Sequence, residues 1–469
     1  MSESNPKVAK RWIVGAVICA GLAVAAYAFL AAGENPDDRP KGTLADIASL
    51  RDRSDLNVLF VLIDTLRSDR LSGYGYERPT SPALDYLAQT GVRFDRHSAQ
   101  SSWTKSSMAS LWTGLYPIRT DVLRHVDAIP EAAVLPAEIL RDAGFTTAGL
   151  WRNGWVAPNF GFGQGFEIYQ SPIGQQAPAT MRSEAIAGRI DGTDIDIVFT
   201  AKEFLSSNQD TPWFLYLHFM DVHQYISTEE TALFGSDYSD SYDNAILWTD
   251  SQLGEILMEI YRLGLGKKTL VVVVSDHGEA FGEHGAEGHA RDLFAEVTRT
   301  PFILSFPFRL SPGGVVEGPT ENIDVWPTLL DMLGLPGLED PDGESLAPLL
   351  LGQPAKPRSD MGFAQLDRNW GKIESEESPL IAVRKGNLRL IHSLEFPTRD
   401  LLFDVDLDPG EHRQIADGQN ELKDEQKKEL LEDALRYLER EPLWQGGSDS
   451  VEIDEMQLRQ LRALGYSIE

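Results

Sequence analysis

"NVLFVLID", residues 57–64, sets an uninterrupted apolar run between one amide and one carboxylate. A strand that is apolar on both faces must be covered on both sides, which is the situation of a parallel strand between two helix layers. The chain downstream repeats the unit. "SPALDYLAQTG", residues 81–91, reads as a helix capped by Ser81 and stopped by Gly91. Leu135 to Ala143 reads as a helix, and the strand-like "TTAGLW" follows it. "PWFLYLHFMD" is a strand ending near Asp221, Tyr242 to Gly264 is a long helix, and "KKTLVVVVSDHG" is a second uninterrupted strand. Alternating apolar strands and amphipathic helices predict an α/β fold with a large, mostly parallel sheet. After about residue 355 the texture changes. "PLIAVRKGNLRLI" and "DLLFDVD" predict short antiparallel strands, followed by a charged helix around Asp417–Glu441 and an amphipathic one around Val451–Leu464.

The 469 residues carry 72 acidic and 42 basic side chains, a net charge of −30. That surface excludes a nucleic-acid binder, which needs a basic face, but leaves room for a local basic pocket. Cys19 is the single cysteine, so neither an intrachain disulfide nor a cysteine-based metal site can form.

Lys7, Lys10 and Arg11 precede the uncharged run Trp12 to Ala32, and Glu34, Asp37 and Asp38 follow it. The run is long enough to span a hydrocarbon core of about 30 Å, and the flanking charges place its N-terminus in the cytoplasm. A retained anchor is favoured. A signal peptide cleaved after Ala26-Tyr27-Ala28 is the competing reading. The expected organisation is therefore a cytoplasmic segment 1–11, a transmembrane helix 12–32, a linker 33–55, a catalytic domain 56–355 and a smaller C-terminal α+β subdomain 356–469. The domains beyond the anchor would be extracytoplasmic on a single-pass membrane protein, and periplasmic in a Gram-negative source.

Ligands of open α/β sheets bind at the carboxyl ends of the strands. Asp64 closes the first strand; Asp276 and His277 close the later one. Carboxylate plus imidazole is a usual ligand set for zinc or manganese. Five of the nine histidines, His218, His223, His277, His284 and His289, lie between "PWFLYLHFMD" and the end of the glycine-rich loop "DHGEAFGEHGAEGH". "SSWTKSSMASLWTG", residues 101–114, reads as a helix unusually rich in small hydroxyl residues. A hydroxyl at its start, activated by a divalent cation on Asp64, Asp276 and His277, would attack a tetrahedral anion. Helix N–H groups and Lys105 would stabilise charge on the anion's oxygens.

These segments resemble the sulfatase family of the alkaline phosphatase superfamily. The similarity is carried by residues 57–117, by "FLYLHFMDVHQY", "VVVVSDHGEAFGEHGAEGH", "EVTRTPFILSFP", "IDVWPTLLDMLGLP" and "LFDVDLDPGEHRQIAD", and by the final "RALGYS". It implies an alkaline-phosphatase-like three-layer sandwich with a small C-terminal sheet. It also implies that the nucleophile lies ten residues before Gly114, at Thr104. Sulfatases have Cys or Ser there, oxidised to formylglycine, and threonine cannot give that aldehyde. The family's Pro is Ser106 here and its Arg is Met108. Threonine at this position resembles the phosphotransferases and phosphodiesterases of the superfamily.

By the same resemblance Asp64, Asp276 and His277 bind metal with Thr104, and His223 contacts substrate. His289 and His218 hold substrate or a second metal. Thr65 replaces a second Asp, which removes one calcium ligand, so zinc or manganese is favoured and calcium is the alternative. Arg67 is equally explained by a structural ion pair. Three functions stand. The first is hydrolysis or transfer of a phosphate-type ester group through Thr104, on an anionic substrate that a lipid or a glycan could carry. The second is sulfate-ester hydrolysis without formylglycine. The third is a catalytically silent scaffold.

Overall fold

The structure is a computed structural model that describes residues 37–172, 192–353, 361–372, 375–416, 418, 421–453, 458, 461–462 and 468. Eight strands form the large sheet: β1 (Asn57–Ile63), β2 (Val92–Ser98), β3 (Thr146–Leu150), β4 (Ile168–Gln170), β5 (Trp213–Phe219), β6 (Thr269–Val274), β7 (Phe302–Ser305) and β8 (Gly314–Glu321). Their order is β8-β2-β7-β6-β1-β5-β3-β4. Neighbours run parallel except β7, which is antiparallel to both β6 and β2. The helices that cover the sheet are α1 (Pro82–Thr90), α2 (Thr104–Thr113), α3 (Pro136–Asp142), α4 (Asp194–Ser207), α5 (Tyr238–Arg262) and α6 (Val325–Leu333).

All residues of β1 are buried, as the unbroken apolar run requires. Its side chains alternate between two cores. Val58, Phe60 and Leu62 face Trp112 of α2 and Trp326 of α6, and Phe60 stacks on Trp326 with ring centroids 5.0 Å apart. Leu59, Val61 and Ile63 face α1, α4 and α5 through Leu84, Ile197, Tyr242 and Ile246. Each such buried side chain contributes about 1.5–3 kcal/mol, and the result is a helix–sheet–helix sandwich.

Strand register places the chemistry. Leu62 pairs with both His218 and Val274. Two residues further on, Asp64 and Asp276 therefore sit at the same height on adjacent strands, about 4.8 Å apart in backbone. They point to the Leu62 face, which α2 covers.

The small antiparallel sheet has the order β9 (Met361–Asp367), β10 (Pro379–Lys385), β11 (Leu388–Ser393), β12 (Leu401–Asp404). One face, with Leu380, Ala382, Ile391 and Phe403, joins the main core. The other, with Ile381, Val383, Leu390 and Leu402, packs on Leu430, Ala434 and Tyr437 of α7 (Glu421–Leu438).

The stretch expected as linker differs from residue 37 onward. Arg39 is buried, pairs with Asp37 at 2.7 Å and donates to the Phe306 carbonyl at 2.9 Å. Leu44–Asp52 forms 3-10 turns whose Ile47 and Leu50 enter the main core. Three-residue spacing stacks these two apolar side chains on one face, a signal that acid-rich composition masks. The apolar run 12–32 lies outside the described residues, and so does most of the expected helix at 451–464. Among the described residues no helix is long and apolar enough to cross a membrane.

Candidate active site

Thr104 opens α2 after the extended Trp103, and Gly114 ends the helix in the left-handed conformation at φ 70°. Every residue of α2 is buried, so its hydroxyl-rich sequence faces protein on all sides. The helix start meets the carboxyl ends of β1 and β6. Thr104 Oγ1 lies 3.1 Å from His277 Nε2. His277 Nδ1 lies 3.0 Å from the Gly278 carbonyl and must donate to it, which leaves Nε2 as the lone-pair nitrogen. That nitrogen is also 3.3 Å from Asp276 Oδ2.

Asp64, Asp276 and His277 each offer one ligand atom, all within 4.8 Å of one another, and all three are fully buried. Asp64 Oδ1 and Asp276 Oδ2 have no hydrogen-bond partner. Two buried carboxylates that each leave one oxygen bare are costly unless a cation completes them. Burial works to raise the Asp64 pKa, but the His218 hydrogen bond and the nearby His223 and His277 imidazoles hold it well below the carboxylate range. Burial and then the Asp64 charge push Asp276 up. The donor set fits a divalent cation.

Support for Asp64 comes from two sides. Tyr216 donates its hydroxyl to His218 Nδ1 at 2.8 Å, and His218 Nε2 donates to Asp64 Oδ2 at 2.9 Å. Sequence placed His218 on substrate or a second metal; both of its ring nitrogens are instead engaged within the protein, so this residue positions Asp64. Asn153 donates its amide to Asp64 Oδ2 at 2.7 Å and lies 3.4 Å from Thr104 Oγ1. Sequence reading missed Asn153. Its only signal was position, three residues past β3, on the same sheet edge as Asp64.

His223 and His289 do join the cluster. The His289 ring centre is 4.5 Å from that of His277 and 5.0 Å from that of His223. Burial pushes His223 down to about 4, so it is neutral near pH 7. Burial also works to lower His289, but the Glu279 carboxylate, 3.3 Å from its Nδ1, raises it overall. Lys105 departs from expectation. Its ammonium donates to the carbonyls of His125 and Asp127 and lies 4.1 Å from the Phe160 ring centre. Successive helix residues point about 100° apart, so the residue after Thr104 cannot share its face. His284 is structural: it stacks on Phe294 with centroids 3.7 Å apart and pairs with Glu296 at 2.7 Å. Arg67 is likewise held by Asp69 at 2.7 Å and Glu283 at 2.6 Å.

Comparison with known proteins gives this geometry its family. A family model described as "Sulfatase" matches residues 56–335, more than half of the chain. The chain belongs to the sulfatase family. A second model, for the C-terminal region of N-sulphoglucosamine sulphohydrolase, matches residues 282–439 of this sulfatase-family chain. Arylsulfatase A of Bos taurus is 27% identical over 453 residues, covering 82% of the chain and 88% of that protein.

Solved structures agree in fold. A solved structure from Bacteroides thetaiotaomicron superposes with a TM-score of 0.70 at 19% identity, covering 82% of the chain and 93% of that structure. A phosphonate monoester hydrolase of Agrobacterium radiobacter superposes with a TM-score of 0.67 at 21% identity, covering 85% and 100%. The chain is thus an enzyme of the ester-hydrolase class within the alkaline phosphatase superfamily, with the expected α/β sandwich.

Proposed function

We propose that this sulfatase-family enzyme hydrolyses or transfers a phosphate-type ester group with Thr104 as nucleophile. One observation carries the reading: Thr104 Oγ1 sits 3.1 Å from the lone-pair nitrogen of His277, beside two buried carboxylates that each leave one oxygen bare. A divalent cation held by Asp64, Asp276 and His277, zinc or manganese in preference to calcium, would lower the pKa of a neighbouring hydroxyl and neutralise ester oxygens. Asn153 fixes the direction of the Thr104 hydroxyl, and His218 fixes Asp64.

In the proposed reaction Thr104 Oγ1 forms a bond to phosphorus, its proton leaves with the alcohol, and the bond from phosphorus to that alcohol breaks. Water or an acceptor alcohol then attacks the phospho-threonine and restores the hydroxyl. Glu279 beside His289 favours the protonated form of that imidazole, which attracts the anionic ester. Neutral His223 supplies a hydrogen-bonding imidazole beside it.

Sulfate-ester hydrolysis by the same threonine is the second reading, favoured by the sulfatase relatives. The anionic ester would be carried on a lipid or a glycan. The apolar run 12–32 supports a single-pass anchor in the cell membrane with an extracytoplasmic, in Gram-negative cells periplasmic, catalytic domain.

The test is a paired assay of the purified protein on aryl phosphate, phosphodiester and aryl sulfate, alongside Thr104→Ala. Phosphate-type turnover that Thr104→Ala abolishes supports the proposal. Turnover of sulfate alone favours the second reading, and no turnover with no bound metal favours a silent scaffold.

A further inference from the structure

A cavity of about 330 Å³ lies between the two sheets, walled by the ends of β2 and β8, the segment before β7, and the small sheet. Neither Thr104 nor any of the three metal-site side chains lines it. In a chain with a net charge of −30 its lining is exceptional, for Arg96, Arg299, Arg384 and Arg389 all face into it. The carboxylates around Arg299 are already engaged by other groups. Asp406 pairs with Arg96 at 2.7 Å, and Glu411 accepts from Arg389 through both oxygens at 2.6 and 2.8 Å. Asp69 pairs with Arg67 at 2.7 Å. Glu321 accepts from Tyr116 at 2.9 Å and from Gln100 at 3.2 Å.

Among the described residues Arg299 has no ion-pair partner, and its guanidinium reaches only the Pro409 carbonyl, at 3.5 Å. Burial pulls its pKa below the usual arginine value; Asp69 and Glu411 work against that shift, and the like-charged Arg96 and Arg389 work with it. A half-buried guanidinium flanked by guanidinium groups is stabilised by an added anion, and its planar fork suits a tetrahedral oxyanion. Phe363, Val405 and Pro409 provide an apolar wall for whatever carries that group.

We propose that this cleft is a second anion-binding site, which takes a phosphate- or sulfate-type group on Arg299. The group would come from the released product ion or from a second charged group on a larger substrate. The cleft also touches the catalytic helix through the chain. Ala99 in its wall donates to the Thr298 carbonyl at 2.8 Å, and five residues later the same segment becomes Thr104. The site does not depend on Thr104 being the nucleophile, so failure of either reading leaves the other standing.

The test is calorimetric titration of the full chain with inorganic phosphate alone and with inorganic sulfate alone. Two binding events are expected. Arg299→Gln should weaken one about tenfold or more, the loss expected when a charged hydrogen bond is removed, and should leave turnover of a singly charged aryl ester unchanged. Arg96→Gln, whose side chain reaches solvent, should weaken the same event less and keeps the test decisive if Arg299→Gln does not fold. Asp276→Asn should alter only the other event.

If the ligand is the product ion, added phosphate will change wild-type aryl-ester turnover beyond simple competition with the ester, and Arg299→Gln will keep the competition alone. If it is a second substrate group, Arg299→Gln will raise KM for a doubly anionic ester and spare kcat. Identical titrations in the wild type and both arginine variants, or a single event that Asp276→Asn abolishes, would overturn the proposal.

Discussion

Asn153 is the residue on which the site's geometry turns without any motif announcing it. Its one amide group donates to Asp64 Oδ2 and reaches Thr104 Oγ1, so it ties the metal-site carboxylate to the proposed nucleophile. Asn153→Ala should lower kcat/KM by roughly 10–100-fold and reduce metal content measured by elemental analysis, as loss of a ligand's support does. An unchanged metal content and rate would remove it from the site. His284 serves the fold instead. Burial works against its proton, but Glu296 and the Glu411 carbonyl raise its pKa above 6.5. A raised histidine binds its proton more tightly in the native state, so its contribution is complete below pH 6.5 and fades as pH rises through the folded value. The difference in Tm between wild type and His284→Gln should therefore be largest near pH 6 and shrink at pH 8. A difference that does not vary with pH would contradict this.

At the scale of elements, β1 and β6 were legible because burial on both faces leaves no room for polar residues. The residue that ends each run then marks the sheet's carboxyl edge, which is why Asp64, Asp276 and His277 stand out in the sequence itself. Register was not legible. His218 lies inside β5, and only its pairing with Leu62 turns it toward Asp64. Asn153 was hidden for a related reason, since an Asn before Gly reads as a turn. Lys105 departs from the sequence expectation because neighbours along a helix point about 100° apart and do not share a face. The core under α2 makes a separate claim. Trp326 is fully buried and stacks on Phe60 and Trp112 at 5.0 and 5.3 Å. Trp326→Ala should cost about 3–5 kcal/mol in denaturant unfolding. A cost under about 1 kcal/mol would mean that the aromatic stack does not hold α2 against the sheet.

For the whole molecule, the small sheet and the main sheet share one core, and residues 37–52 are stitched onto the same body. The catalytic unit should therefore begin by residue 37, close behind the apolar run 12–32. A reporter fused after residue 40 should be active outside the cytoplasm, and the full chain should resist carbonate extraction; release as a soluble mature form beginning near residue 29 would refute the anchor. The central claim, a threonine nucleophile in a family built around formylglycine, is tested most directly by mass. Wild-type protein quenched during turnover of a phosphate-type ester should show a phosphoryl adduct in its intact mass, and fragmentation should place it on Thr104. The adduct should be absent from Thr104→Ala and reduced but present on the serine of Thr104→Ser. Turnover without any adduct, or Thr104→Ala working at near-normal rate, would contradict the account.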